Sequence, residues 1–176
     1  MKNLQRLTFL AVLVAQALVL YIVESMIPIP FITPGAKLGL SNIITVASLY
    51  LFGFKDTFVV VLLRILLSTF FGGSISSLIY SLSGGILSLL FMQLAKALGK
   101  DDISIMGVSI TGAFFHNVGQ VLSAAVIIQN INVVIYLPLL TVSGIGTGFF
   151  VGITANYLLN ALKKLPIYKT INNSKL

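Results

Sequence analysis

Long apolar runs are the feature that most constrains how this chain folds. Of its 176 residues, 57% are hydrophobic and only 9% are charged. A soluble domain carries about 25% charged residues, so the few charges here cannot cover a soluble surface. The apolar runs are long enough to cross the roughly 30 Å hydrocarbon core of a bilayer as helices. The composition therefore predicts an integral membrane protein and excludes disordered chains, ordinary soluble enzymes and nucleic-acid-binding domains.

Six apolar segments predict six transmembrane helices. Prolines, glycines and short polar turns separate them, because these residues interrupt or end helices. The loop after the first segment, PIPFITPGAK at 28–37, is the richest in proline and is a candidate lid. We predict an all-α membrane protein, one compact bundle over residues 1–176, with approximate spans at 7–27, 38–52, 57–71, 75–98, 105–128 and 133–162.

The basic residues predict the orientation, because short cytoplasmic loops retain Lys and Arg. Of the eleven basic residues, Lys37 falls alone on one side and Arg64 lies inside the third span. We therefore predict a plasma-membrane protein with both termini in the cytoplasm. The cytoplasmic side would receive all the other basic residues: Lys2, Arg6, Lys55, Lys96, Lys100, Lys163, Lys164, Lys169 and Lys175.

Arg64 and Glu24 are ionisable residues within the predicted spans, where a charge is costly and marks a candidate functional site. Arg64 lies near the middle of the third span, and Glu24 lies about one turn from the outer end of the first. One interpretation makes them an internal ion pair that only fixes helix register. The other makes Arg64 an anion-binding group, because a guanidinium can bind a carboxylate or phosphate through two hydrogen bonds.

The fifth span carries a polar cluster of His116, Asn117 and Gln120. At about 100° per residue, His116 and Gln120 stack on one face of a helix and Asn117 lies beside them. Such groups either form hydrogen bonds within a packed bundle or line a binding surface, and their density here favours binding. Asn42, near the start of the second span, has the same two interpretations.

The predicted topology brings these polar groups together in the outer half and near the midplane of the membrane. We therefore predict one pocket, open to the outside, that binds a small anionic or amphipathic molecule. No catalytic residue, metal or cofactor is expected there, and cysteine is absent from the chain. The predicted lining residues are Glu24, Lys37, Asn42, Arg64, Ser81, Ser83, His116, Asn117 and Gln120.

Small residues at helical spacing form two stripes. Ala11 and Ala15 lie four residues apart on the first span, and Gly144, Gly148 and Gly152 repeat every four residues on the sixth. Small residues at this spacing let two helices approach closely in lipid. The pattern alone does not distinguish packing within the chain from packing against a partner.

Four segments of the chain resemble the Gx transporter family, whose members carry the name heptaprenyl diphosphate synthase component I. They are PIPFITPGAKLGLSN at 28–42, Arg64 in the third span, SLSGG at 81–85 and GVSITGAFFHNVGQ at 107–120. That family is in turn similar to the S-components of energy-coupling factor (ECF) transporters. The resemblance implies six helices, cytoplasmic termini and an outward pocket capped by the first loop.

The same resemblance implies partners. In S-components, an AxxxA pattern on the first helix docks onto a transmembrane coupling (T) subunit, and Ala11 and Ala15 match it here. The protein would then capture a substrate and release it by toppling, driven by two ATP-binding subunits. The chain itself has no Walker motif, so it is not expected to hydrolyse ATP by a P-loop.

Two other functions remain open at this point. The family name would fit a membrane subunit of isoprenoid or quinone synthesis. Trans-prenyl synthases bind magnesium-diphosphate through two Asp-rich motifs, whereas the three aspartates here, Asp56, Asp101 and Asp102, all lie at the cytoplasmic edge. Such a subunit would therefore be accessory, and we expect no enzyme activity. A self-sufficient carrier coupled to an ion gradient would rely on Glu24 or His116, but no clear repeat supports it.

Overall fold

The fold is known from a computed structural model that describes residues 2–26, 39–71, 74–99 and 102–164. Within these residues every regular element is helical. The elements are α1 (Lys2–Met26), α2 (Leu40–Leu51), α3 (Phe54–Phe70), α4 (Ile75–Gly99), α5 (Ile105–Ile128), a 3₁₀-helix (Ile131–Tyr136) and α6 (Leu137–Leu162).

Four of these helices are long and apolar enough to cross a membrane: α1, α4, α5, and α6 together with the 3₁₀-helix before it. The predicted all-helical membrane bundle is therefore confirmed. The other two helices are shorter than full spans. With its 12 residues, α2 is only about 18 Å long, and α3 has Lys55 and Asp56 in its first turn.

Not all helices begin where the predicted spans begin, and α1 already starts at Lys2 rather than at residue 7. The turn before α3 is shorter than expected, because Thr57 N–H donates to Gly53 O and the helix already begins at Phe54. At the other end of the chain, α6 begins at Leu137 rather than near residue 133. Pro138 stands in its first turn, where the missing N–H of proline costs no helical hydrogen bond.

The helices form a closed ring. The most extensive contacts join α5 to α4 on one side and to α6 on the other. On the opposite side, α1 packs against both α2 and α3, while α2 reaches α6 and α3 reaches α4. The order around the ring is therefore α1, α2, α6, α5, α4, α3, and all six helices face a common interior.

The apolar core lies deep in this ring. Leu89 and Met92 of α4 pack with Val108 of α5 and Val151 of α6 at its centre. A second cluster under α1 includes Ala17, which is fully buried. These buried side chains hold the helices together at one level of the bundle. The charged residues of the interior, Glu24 and Arg64, lie nearer one end.

Basic residues collect at the end of the ring that holds the N-terminus of α1. Arg6 forms an ion pair with Asp56 at 2.5 Å, which ties α1 to the start of α3. Lys96 donates to Leu49 O at 2.9 Å and lies 4.3 Å from the Tyr50 ring, so it covers the C-terminal end of α2. The other end of the ring is formed by the C-terminus of α1 and the start of α2.

Candidate functional site: a polar cavity inside the helix ring

A cavity of about 240 Å³ lies inside the ring and is lined by residues of all six α-helices. Most of its lining side chains carry hydroxyl, amide, imidazole or charged groups. The apolar remainder includes Val46, Ile65, Met92 and Val151, which belong to the core or border it. A polar cavity inside an otherwise apolar bundle has the general form of a small-molecule binding site.

Arg64 lies in the wall of this cavity and is only 6% exposed. Its Nη1 donates to the hydroxyl of Ser41, the second residue of α2. Its Nε is buried and has no hydrogen-bond partner in the described part of the chain. A buried donor without a partner costs about 1–3 kcal/mol, so the surroundings of Arg64 are not optimised for stability alone.

Glu24 is 3% exposed and lines the same cavity. Its two carboxylate oxygens accept hydrogen bonds from the N–H groups of Gly39 (2.6 Å) and Leu40 (3.1 Å). Gly39 adopts a left-handed conformation with φ of 75°, which glycine tolerates without strain. Glu24 thus places a negative charge at the N-terminus of α2, where the helix dipole favours it.

Glu24 and Arg64 therefore have separate direct partners. Among the described residues, the ion pair within 4.0 Å is the one between Arg6 and Asp56. Glu24 and Arg64 are thus not directly bonded, but their opposite charges attract each other, and the interpretation of the two as a structural pair stays a prediction. The carboxylate binds backbone N–H groups, and the guanidinium keeps one unpaired donor beside the cavity.

One face of α5 forms a wall of the cavity from Ser109 to Gln120. Asn117 on this face donates through Nδ2 to Leu140 O of α6 at 2.6 Å, so its amide also joins two helices. A neighbouring contact brings α4 and α5 close together. A Cβ added at Gly119 would lie 2.7 Å from Ser83 O, so only glycine fits this crossing.

The structure brings together seven of the nine residues predicted to line a pocket. They are Glu24, Asn42, Arg64, Ser81, His116, Asn117 and Gln120. Their contact with a ligand stays a prediction.

The other two predicted lining residues are not among those of the cavity. Lys37 lies outside the described residues. Ser83 is not part of the lining, and its hydroxyl bonds to Ser123 at 2.8 Å. Residues two apart on a helix point about 200° away from each other, so Ser81 and Ser83 cannot both face the cavity.

Sequence reasoning missed most of the hydroxyl groups in the cavity wall. A detectable signal was the helical spacing of Ser77, Ser81 and Ser88 on α4, and of Ser143 and Thr147 on α6. Serine and threonine are inconspicuous in apolar helices because they can bond to their own backbone. Further lining residues that were not predicted are Tyr21, Ser41, Ser68, Ser74, Tyr80 and Ser109.

The two stripes of small residues have different surroundings. Gly148 and Gly152 pack against the α5 backbone, since added Cβ atoms would lie 2.8 Å from Ile110 Cα and 2.7 Å from Met106 Cα. Ala11 and Ala15 are exposed on the outer face of α1. The glycine stripe is thus an internal packing surface, while the described part of the chain leaves the two alanines uncovered.

The cavity groups suit noncovalent recognition, because they combine one guanidinium with many hydrogen-bonding groups. No curated protein and no solved structure matches the chain. A family model described as heptaprenyl diphosphate synthase component I matches residues 13–158. This match covers most of the chain and includes every residue that lines the cavity. The chain therefore belongs to the heptaprenyl diphosphate synthase component I family, and it is a helical membrane protein.

Proposed function

We propose that this protein is the substrate-binding membrane subunit of an ECF-type importer. The observation that carries the proposal is the polar cavity with a buried arginine inside an apolar ring of helices. A buried charge is costly to place in a membrane bundle. A bound polar molecule would offset that cost, and capture of such a molecule is what a substrate-binding subunit does.

The outer face of α1 supports the part of the proposal that concerns partners. Ala11 and Ala15 are exposed on this face, whereas nearby Ala17 is 0% exposed. Small residues facing outwards let another transmembrane helix approach the backbone of α1 closely. We assign this face to the transmembrane coupling subunit, which would link the protein to two ATP-binding subunits.

The proposed topology places the protein in the plasma membrane with its basic end in the cytoplasm. The described basic residues outside the cavity include Arg6, Lys55, Lys96, Lys163 and Lys164, and positive residues accumulate on the cytoplasmic side. The cavity would then open towards the outside. Because the chain has no cysteine, single cysteines can report this orientation.

Labelling of intact cells with a membrane-impermeant maleimide tests the orientation. Ser25→Cys, exposed near the cavity end of α1, is expected to react. Lys163→Cys, exposed at the end of α6, is expected to react only after the cells are lysed. The reverse pattern would contradict the proposed topology.

A second candidate function has one observation in its favour, which is the family's own description. A component of heptaprenyl diphosphate synthase would associate with a soluble prenyl synthase and modulate it at the membrane. In that case the protein would be an accessory subunit, and its removal would lower synthase activity.

Affinity purification from native membranes in mild detergent separates these functions. The proposed function predicts that a membrane coupling protein and two ATPases co-purify with the protein. Recovery of a soluble prenyl synthase in their place would support the second candidate. Recovery of the protein alone would contradict both and favour a self-sufficient carrier.

Tryptophan variants connect that experiment to the surface of α1. Ala11→Trp and Ala15→Trp should each abolish co-purification of the coupling protein, because the bulky side chain prevents close helix approach. Val142→Trp is the matched control, since Val142 is exposed on α6, away from the alanine face. If all three variants retain the same partners, the alanine face is not the docking surface.

A further inference from the structure

Among the residues that the structure describes, two buried polar atoms in the cavity wall lack a hydrogen-bond partner. They are Arg64 Nε on α3 and Ser109 Oγ on α5, and the two residues are 6% and 3% exposed. Buried polar groups in proteins are nearly always paired. The two residues are not bonded to each other, so the cavity wall has an unpaired hydrogen-bonding group at two separate places.

The distance between these places follows from helix geometry. Gly84 packs on His116, and its neighbour Gly85 packs on Ile65, so Arg64 lies near the level of His116. Ser109 is seven residues from His116 on α5, which corresponds to about 10 Å at 1.5 Å per residue. The backbone levels of the two residues therefore lie about 10 Å apart along α5, and a molecule that reaches both side chains must extend over a comparable length.

The charges lining the cavity define one end of such a molecule. Glu24 and Arg64 are the charged residues among the described lining residues. Both oxygens of Glu24 already bind the N-terminus of α2. Arg64 keeps an unpaired donor, and a guanidinium presents a planar set of donors that matches a carboxylate. This end of the cavity therefore suits one anionic group.

The other end of the cavity is deeper and carries no formal charge. Ser109 lies there with Ser88 and Met92, since an added Cβ at Gly112 would meet both of the last two residues. A hydroxyl group can donate or accept by rotating about its own bonds. Ile65 presents apolar surface near the Arg64 end and Val151 near the Ser109 end.

We propose that the cavity binds an elongated molecule with one carboxylate-like group at Arg64 and an uncharged hydrogen-bonding group at Ser109, about 10 Å apart. The proposal rests on the proposed binding function and specifies its substrate class. A cavity of about 240 Å³ is smaller than the roughly 300–1,000 Å³ typical of drug-sized ligands. A long prenyl diphosphate, with two phosphates and an extended chain, does not match it in charge or in size.

Thermal unfolding of the detergent-purified protein tests this assignment with defined probes. p-Hydroxyphenylpropionate carries a carboxylate and a hydroxyl at opposite ends, and it should raise the melting temperature at millimolar concentration. Its amide lacks the charge, and phenylpropionate lacks the hydroxyl. Each should bind about tenfold more weakly, which corresponds to the loss of one favourable interaction. Farnesyl diphosphate should give no specific stabilisation.

Variants locate the two ends of the probe. Arg64→Gln should remove the preference for the acid over the amide, and Ser109→Ala should remove the preference for the hydroxylated acid over phenylpropionate. Ser123→Ala is the control, because Ser123 is on the same helix, bonds to Ser83 and is not a lining residue. If Arg64→Gln does not fold, Ser109→Ala alone still tests the deeper end.

Each other result would overturn the proposal. No stabilisation by the acid would refute the substrate class, equal binding of the amide would refute the anionic end, and equal binding of phenylpropionate would refute the hydrogen-bonding end. Stronger binding of farnesyl diphosphate would point to the isoprenoid function. These outcomes are independent of which partners co-purify, so failure here and failure of the importer function are distinguishable.

Discussion

The two stripes of small residues look alike in the sequence and differ in the fold. Gly144, Gly148 and Gly152 face α5 so closely that side chains there would meet its backbone or Asn117. Ala11 and Ala15 face outwards from α1. Small residues permit close helix packing in a membrane. Whether a given stripe packs against another helix of the same chain depends on the arrangement of the whole ring.

This difference separates residues that hold the fold together from residues that are available for other roles. The contact surface between α5 and α6, here called the α5–α6 seam, needs Gly148 and Gly152 because the two backbones touch there. The outer face of α1 has no such requirement within the described residues. Substitutions on the two surfaces should therefore affect different properties of the protein, namely stability on α6 and association on α1.

The largest expected effect comes from a residue next to the alanine stripe that faces inwards. Ala17 lies on α1, is 0% exposed and belongs to the second apolar cluster. Ala17→Trp should lower the free energy of unfolding by more than about 3 kcal/mol, because overpacking a filled core forces helices apart. Denaturant unfolding in detergent micelles measures this change. A stability loss below about 1 kcal/mol would show that α1 is not packed as described.

The glycine stripe predicts the next largest effect. Gly148→Ala would place Cβ 2.8 Å from Ile110 Cα, so α5 and α6 must separate at a cost of about 2–3 kcal/mol. Gly146 lies on the same helix, and an added Cβ there meets nothing within 4 Å. Gly146→Ala should therefore leave the melting temperature unchanged or slightly higher. Equal destabilisation by both substitutions would contradict the tight seam.

A smaller effect is expected where the same seam meets the cavity. Asn117 Nδ2 donates to Leu140 O at 2.6 Å, and one such hydrogen bond contributes about 1 kcal/mol. Asn117→Ala should reduce stability by this amount. The same unfolding measurement applies, and no change in stability would show that this bond does not help to hold α5 to α6.

The smallest expected effect on stability is on the exposed alanine stripe. Ala15→Trp should change the free energy of unfolding of the isolated protein by no more than about 0.5 kcal/mol. Compared with Ala17→Trp, it makes the same chemical change two residues away on the other side of the helix. A large loss of stability would mean that the outer face of α1 is packed within the protein.

Much of the fold could be predicted from the sequence, because the cost of exposing backbone polar groups to lipid allows few backbone structures within a membrane. Long apolar runs can satisfy their backbone groups only as helices or closed barrels, and their length excluded strands. Arg64 was identifiable for a related reason, since a charge inside an apolar segment needs a polar environment. These inferences depend on local sequence alone.

The features that were not predictable depend on contacts between distant residues. Glu24 bonds to Gly39 and Leu40, which are 15 and 16 residues away across the loop between α1 and α2. The cavity hydroxyl of Ser109 is ordinary in sequence, and only the packing of α5 leaves it unpaired.

The most direct test of the central claim is photo-crosslinking in native membranes from a benzoylphenylalanine placed at Val19, which is 58% exposed on α1 one turn beyond Ala15 and leaves both alanines in place. The same probe at Val142, which is exposed on α6, serves as the control. The account predicts a crosslink from position 19, and not from position 142, to a membrane coupling protein that carries two ATPases. A crosslink to a soluble prenyl synthase, or no protein crosslink from position 19, would contradict it.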